Sequence, residues 1–199
     1  MEYKSLVLFI SGKQGSGKTT LASNLSNWLL GDDRFWLYNL KFADPLYEMH
    51  NAIYGVLERY GQAKPVKTDG TLLQILGTEW GRKCVHPDLW VNILKSRVID
   101  ALKSDLWPRH KIVIVDDARL QNEVECFDKY QGLEVIKLRL ECNEGFRKAR
   151  AEKWRENTMH LSEVALDAYH GFDHIIYTDR HEALDTLELA KRCIIERLK

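Results

Sequence analysis

The sequence predicts a three-layer α/β/α fold around a five-stranded, mainly parallel sheet. Three observations carry that reading. A short apolar run, Leu6 to Ile10, leads directly into a glycine-rich turn and then into a helical pattern. Four consecutive β-favouring residues, Ile112 to Val115, are closed by two carboxylates. Strand-like and helix-like stretches alternate along the chain, and in one sheet that alternation demands crossovers with helices on both faces. The 199 residues suffice for one domain with a full core.

The first strand ends in Gly12-Lys13-Gln14-Gly15-Ser16-Gly17-Lys18-Thr19, a complete match to the phosphate-loop (P-loop) pattern of nucleoside-triphosphate-binding proteins. Glycines at 12, 15 and 17 let several backbone N–H groups converge on one anion. Lys18 adds a mobile charge for the β- and γ-phosphates, and the Thr19 hydroxyl is placed for the accompanying magnesium. Thr20 continues into the helix, whose positive dipole end faces the phosphates. Residues 12–20 are therefore the expected ATP-binding segment.

The first helix reads from Lys18 to Leu30, with Leu21, Leu25, Trp28 and Leu29 on one face and Gly31 as its stop. Phe35 to Phe42 reads as a second strand. Asp44 is the expected N-cap of the next helix, with Pro45 at its first turn and Gly61 closing it. Leu46, Met49, Ile53, Leu57 and Tyr60 line one side. After a loop at 62–70, helices are expected over 71–83 and 87–103. No strand falls between Phe42 and Lys111, too long for a simple crossover, so this helical block is an insertion on the sheet's rim. Strands follow at 111–117, 134–140 and 174–178. Asp179 with Glu182 suggests a capping-box start for a last helix with Leu184, Leu187, Ala190, Ile194 and Leu198 as its buried stripe. The division is a core of 1–44, 104–141 and 164–199, an insertion at 45–103 and a lid at 142–163.

Bulk composition narrows the function classes. Lys+Arg and Asp+Glu are 29 each, which argues against a sequence-independent binder of nucleic-acid polymers. No apolar stretch reaches the ~18–20 residues needed to span a membrane, and no secretory signal pattern is present. A cytoplasmic protein is expected. The four cysteines form no C-x-x-C pair and read as reduced thiols. His86-Pro87-Asp88 resembles a co-chaperone tripeptide, but its residues suit a helix start.

Beyond the loop, Asp116 and Asp117 stand at a strand end where a carboxylate can hold magnesium, and the sequence does not choose between them. Arg147 and Arg150, three apart in a basic helical stretch after a strand, suit a closing lid that stabilises a transferring phosphoryl group. Arg82 and Arg119 are candidates for clamping an acceptor phosphate by bidentate bonds. Trp80 or Trp90 could stack on a planar base and Gln74 hydrogen-bond its edge, with Asp44 on the same rim.

Together these residues resemble the deoxynucleoside monophosphate kinases of tailed bacteriophages, a branch of the nucleoside monophosphate kinase-like P-loop proteins. The matching stretches are Gly12 to Thr19, Phe42-Ala43-Asp44-Pro45-Leu46, Leu73-Gln74 with Gly77-Thr78-Glu79-Trp80-Gly81-Arg82, Val115-Asp116-Asp117-Ala118-Arg119 with Asn122-Glu123, and His160-Leu161-Ser162-Glu163. The resemblance implies transfer of the ATP γ-phosphoryl group to a deoxynucleoside 5′-monophosphate, with magnesium, for DNA precursor synthesis. It makes the inserted helices the monophosphate-binding part and residues 142–160 the lid; dimerisation stays open. Animal phosphomevalonate kinases share the loop and layout more weakly, so a non-nucleotide phosphate ester is the alternative acceptor. A nucleotide switch or motor is disfavoured, because position 117 is Asp rather than Glu and no N-K-x-D run occurs.

Overall fold

Leu6, Leu8 and Ile10 alternate with Val7 and Phe9, all five without exposed surface, so the first strand feeds one core on each side of the sheet. A computed structural model describes residues 3–63, 68–103, 109–150, 154 and 164–199. In it β1 (Ser5–Gly12) is the central strand of five, in the order β2 (Phe35–Asn39), β3 (His110–Val115), β1, β4 (Leu133–Glu141), β5 (His174–Tyr177). All four pairings are parallel, and β1 aligns Leu6 with both Ile112 and Glu134. The chain thus reverses its direction of winding around β1, the place where open α/β sheets form a ligand crevice.

On one face, α1 (Lys18–Leu30) and the C-terminal helix cover the sheet, with Leu21, Leu25 and Leu29 packing beside Leu187, Ala190 and Ile194. The other face receives α4 (Leu89–Leu102) through Trp90, Val91, Leu94 and Val98, with Val124 and Phe127 alongside. The three-layer α/β/α architecture with a five-stranded parallel sheet is therefore as the sequence predicts. Among the described residues, no helix is long and apolar enough to cross a membrane. The four cysteines are free, and burial pushes the Cys126 thiol up to about 12.

Several boundaries move, each for a local reason. β2 stops at Asn39, not Phe42, because the Asp117 carboxylate captures the Phe42 and Ala43 N–H groups (3.0 and 2.9 Å) and turns the chain away. α2 (Asp44–Arg59) begins with Asp44 inside it, and Ala43 holds the N-cap position. Asp44 is not a cap: its carboxylate turns back to accept the Lys41 N–H at 3.0 Å and pairs with Arg97 at 2.9 Å. At the other end Gly61 (φ 78°) closes the helix as expected, with Gln62 N–H donating to the Leu57 carbonyl at 3.0 Å. α2 buries only His50; Ile53, Leu57 and Tyr60 of the expected apolar side remain exposed.

The expected helix at 71–83 is instead a short α3 (Gly70–Gln74) running into a π-helix, Ile75–Val85. After β3, α5 is a single turn, Gln121–Val124, and α6 (Glu144–Arg150) follows β4. The last helix, α7 (Ala183–Leu198), starts beyond Asp179, which accepts the Asn143 N–H at 3.1 Å and does not cap it. Leu184 is accordingly exposed. The expectations for Trp107-Pro108 and for most of the lid, including His160, Ser162 and Glu163, lie outside the described residues.

Candidate functional site

The rim at the carboxyl ends of the strands gathers the predicted residues. Gly12 to Thr19 links β1 to α1, and Gly12, Gly15 and Gly17 all have positive φ. Gly15 is required twice over: φ is 77°, and a Cβ there would lie 2.6 Å from the Arg147 carbonyl oxygen. Gly17 (φ 94°) has open space above it. The loop's inner wall is therefore packed from behind and clear in front. Lys18 Nζ folds over the loop and donates to the Gly12 and Lys13 carbonyls, the latter at 3.0 Å. Among the described residues, the buried Ser16 hydroxyl has no hydrogen-bond partner. Thr19 and Thr20 are exposed at the start of α1. Lys13 Nζ pairs with Asp167 at 2.7 Å, and Asp167 also holds the buried Arg139 at 3.1 Å, tying the loop to the segment after the lid.

Asp116 and Asp117 separate cleanly. Both Asp117 oxygens accept backbone N–H groups of the β2–α2 loop, which gives this carboxylate a structural role. Burial, partly offset by those N–H bonds, raises its acid to about 6. Asp116, 8% exposed, faces Lys41, whose Nζ lies 2.9 Å from Oδ1 and 3.3 Å from Oδ2. Burial works against the Lys41 charge, but Asp116, Asp117 and Asp44 outweigh it and hold the ammonium above its usual range. A carboxylate already facing one cation, on the rim that carries the Thr19 hydroxyl, is a hard-oxygen donor set suited to magnesium arriving on a nucleotide. Among the described residues, no three metal-ligating side chains converge.

The insertion is fastened to this rim by charge. Arg82 Nη2 meets Glu123 at 2.6 Å and Nη1 meets the Gly77 carbonyl at 3.1 Å. Glu123 is 2% exposed and also accepts the Arg119 and Leu120 N–H groups at 2.7 and 3.0 Å. Burial raises the Glu123 acid, against those N–H bonds and Arg82. Asn122 donates to Asp88 at 2.7 Å. Arg82 thus ties the insertion to Glu123, while the Arg119 side chain is exposed. Trp90 is 2% exposed, and its Nε1 donates to the Gly77 carbonyl at 2.8 Å, so it has no face for a base. Trp80 and Gln74 are exposed and keep that possibility.

Of the lid arginines, Arg147 is buried under the phosphate loop. Its Nη1 donates to the Gln14 carbonyl and its Nε to that of Cys142, both at 3.1 Å, and its guanidinium lies 5.4 Å from the Trp154 ring. In this structure it buttresses the phosphate loop from behind. Arg150 donates to the Thr178 carbonyl at 2.9 Å and lines a cleft of about 260 Å³ with Gly17, Thr20, Asn24, Thr178 and Glu182. Of the other basic residues of that stretch, Lys148 pairs with Glu144 at 2.7 Å, and Lys153 and Arg155 lie outside the described residues.

Two participants escaped the sequence reading. Thr178, at the end of β5, donates through Oγ1 to the Ser16 carbonyl at 3.0 Å; its strand-end position was the available signal. Lys41 carried no signal, because its partner is 75 residues away.

No family model matches the chain, and no curated protein does. Solved structures do. TT1252 from Thermus thermophilus is similar over 100% of both chains, with 16% identity and a TM-score of 0.54. APE1195 is similar over 100% of this chain and 99% of its own, with 13% identity and a TM-score of 0.56. A sugar kinase from Janibacter sp. HTCC2649 is 17% identical over 94% of this chain and 92% of its own, but its TM-score of 0.40 carries no weight. At these identities the likeness establishes the fold alone: an α/β/α domain on a five-stranded parallel sheet.

Proposed function

We propose that the chain is an ATP-dependent deoxynucleoside monophosphate kinase, moving the γ-phosphoryl group of ATP to a deoxynucleoside monophosphate to give the diphosphate and ADP. The observation that supports it best is the placement of a complete phosphate loop, Asp116 and the charged anchor of the helical insertion on one rim. ATP phosphates would lie against Gly12 to Thr19, with Lys18 turning from the loop carbonyls to the phosphates. The nucleoside would extend into the cleft between Arg150, Thr178 and the start of α1. The acceptor would enter from the insertion side, past Gln74 and Trp80, toward Arg119.

Thr19 and Asp116 would hold magnesium, which when bound with the nucleotide neutralises the charge of the phosphates. An acceptor phosphate oxygen is already ionised, so the chain needs no general base. Its residues work by alignment and by positive charge at the transferring group. Burial of Trp90 leaves Trp80 as the remaining platform of the two proposed, which keeps a non-nucleotide phosphate ester as a second reading.

A coupled assay with ATP against deoxy- and ribonucleoside monophosphates and phosphomevalonate tests both readings. Turnover with deoxynucleotides is expected, and turnover with phosphomevalonate alone moves the assignment to the second reading. Lys18→Ala should abolish turnover and leave the circular dichroism spectrum unchanged; normal activity would remove the loop from the mechanism.

A further inference from the structure

Where two phosphorylated ends meet, repulsion between dianions must be met by cations. Two arginines nominated from sequence are committed elsewhere, Arg82 to Glu123 and Arg147 to the Gln14 carbonyl. The cation beside Asp116 is Lys41, in the segment leading from β2 into the insertion.

Its setting is unusual for a purely structural ion pair. The backbone is pinned at successive positions: Lys41 N–H to Asp44 at 3.0 Å, Lys41 carbonyl to Arg97 at 3.2 Å, and the next two N–H groups to Asp117. The side chain, in contrast, is 43% exposed, against 8% for the carboxylate it meets. A fixed base therefore carries an open, flexible four-carbon arm whose ammonium can leave Asp116 for a more strongly charged anion.

We propose that Lys41 is a ligand of the acceptor's phosphate, a dianionic monoester that outcompetes the singly charged Asp116 for the ammonium. The role rests on the kinase reading and adds to Arg119 a second cation on the acceptor side. Lys41 exchanges partners, from carboxylate in the empty site to phosphate in the loaded one, and so keeps Asp116 compensated until substrates arrive.

The test is calorimetric binding of dAMP, dGMP, dCMP and dTMP to the full chain, without ATP or metal, beside binding of a non-hydrolysable ATP analogue. Lys41→Met should weaken binding of the accepted deoxynucleotide by roughly 10- to 100-fold, the usual loss for a charge-assisted contact. ATP-analogue affinity should stay within about 3-fold, and Lys41→Arg should recover most of the deoxynucleotide affinity. Because Lys41→Met leaves Asp116 without its partner, the same comparison is made in an Asp116→Asn background, where no orphaned carboxylate can unfold the chain. Unchanged deoxynucleotide binding in Lys41→Met overturns the proposal, as does an equal loss for both ligands, which would mark Lys41 as support for Asp116 only. Wild-type protein that binds none of the four deoxynucleotides and phosphorylates none in the coupled assay overturns the deoxynucleotide kinase reading itself, a result distinct from either.

Discussion

Asp117 shows how one side chain can be read two ways until its partners are known. It stands at the end of a buried strand beside Asp116, and nothing local separates the two. Its structural role comes from Phe42 and Ala43, about 75 positions earlier, whose N–H groups each bond one of its oxygens. That environment makes a pH prediction. Its acid is raised to about 6 from an ordinary 3.8, so the folded chain binds this proton more tightly than the unfolded one. The contribution to stability is fully present below about pH 4 and is lost as pH rises through about 6, amounting to roughly 3 kcal/mol in all. Urea unfolding at pH 4.5 and 7.5 should show wild type losing stability relative to Asp117→Asn across that interval. Parallel behaviour of the two proteins would place the ionised carboxylate at no cost in the fold.

Among the elements, legibility followed burial. β1, β3, α1 and α4 were readable because their apolar periodicity is the core itself, from Leu6 to Ile10 and from Val91 to Val98. α2 misled, since its apolar stripe packs on the core only at its start; Ile53, Leu57 and Tyr60 are exposed. The π-helix could not be read from periodicity. It depends on Trp90, whose indole fills the space a Cβ on Gly81 would need and anchors the Gly77 carbonyl. At the site, the phosphate loop was legible as a local motif, whereas the fates of Arg82 and Arg147 were set by partners distant in sequence. Gly81→Ala should therefore drive the Trp90 ring aside, costing about 1–3 kcal/mol. Because the phosphate loop is not touched, acceptor KM should rise with little change in ATP KM. A variant with both constants intact would show that the π-helix does not shape the acceptor side.

For the whole molecule, stability is distributed unevenly around the rim. β1 is covered on both faces, while α2 buries only His50 fully and packs Leu46 and Met49 against the core in part. Amide hydrogen exchange should be slowest in β1 and β3 and much faster in α2, and an accepted monophosphate should slow α2 and the π-helix. Protection of α2 equal to that of β1 in the free protein would contradict this.

Arg147 has one more implication. The backstop of the anion cradle belongs to a helix that follows β4, more than a hundred residues after the cradle in sequence. Donor affinity is consequently a joint property of two distant stretches of chain. Grafting residues 12–19 onto a foreign strand and helix would transplant the consensus without the strut that keeps it open.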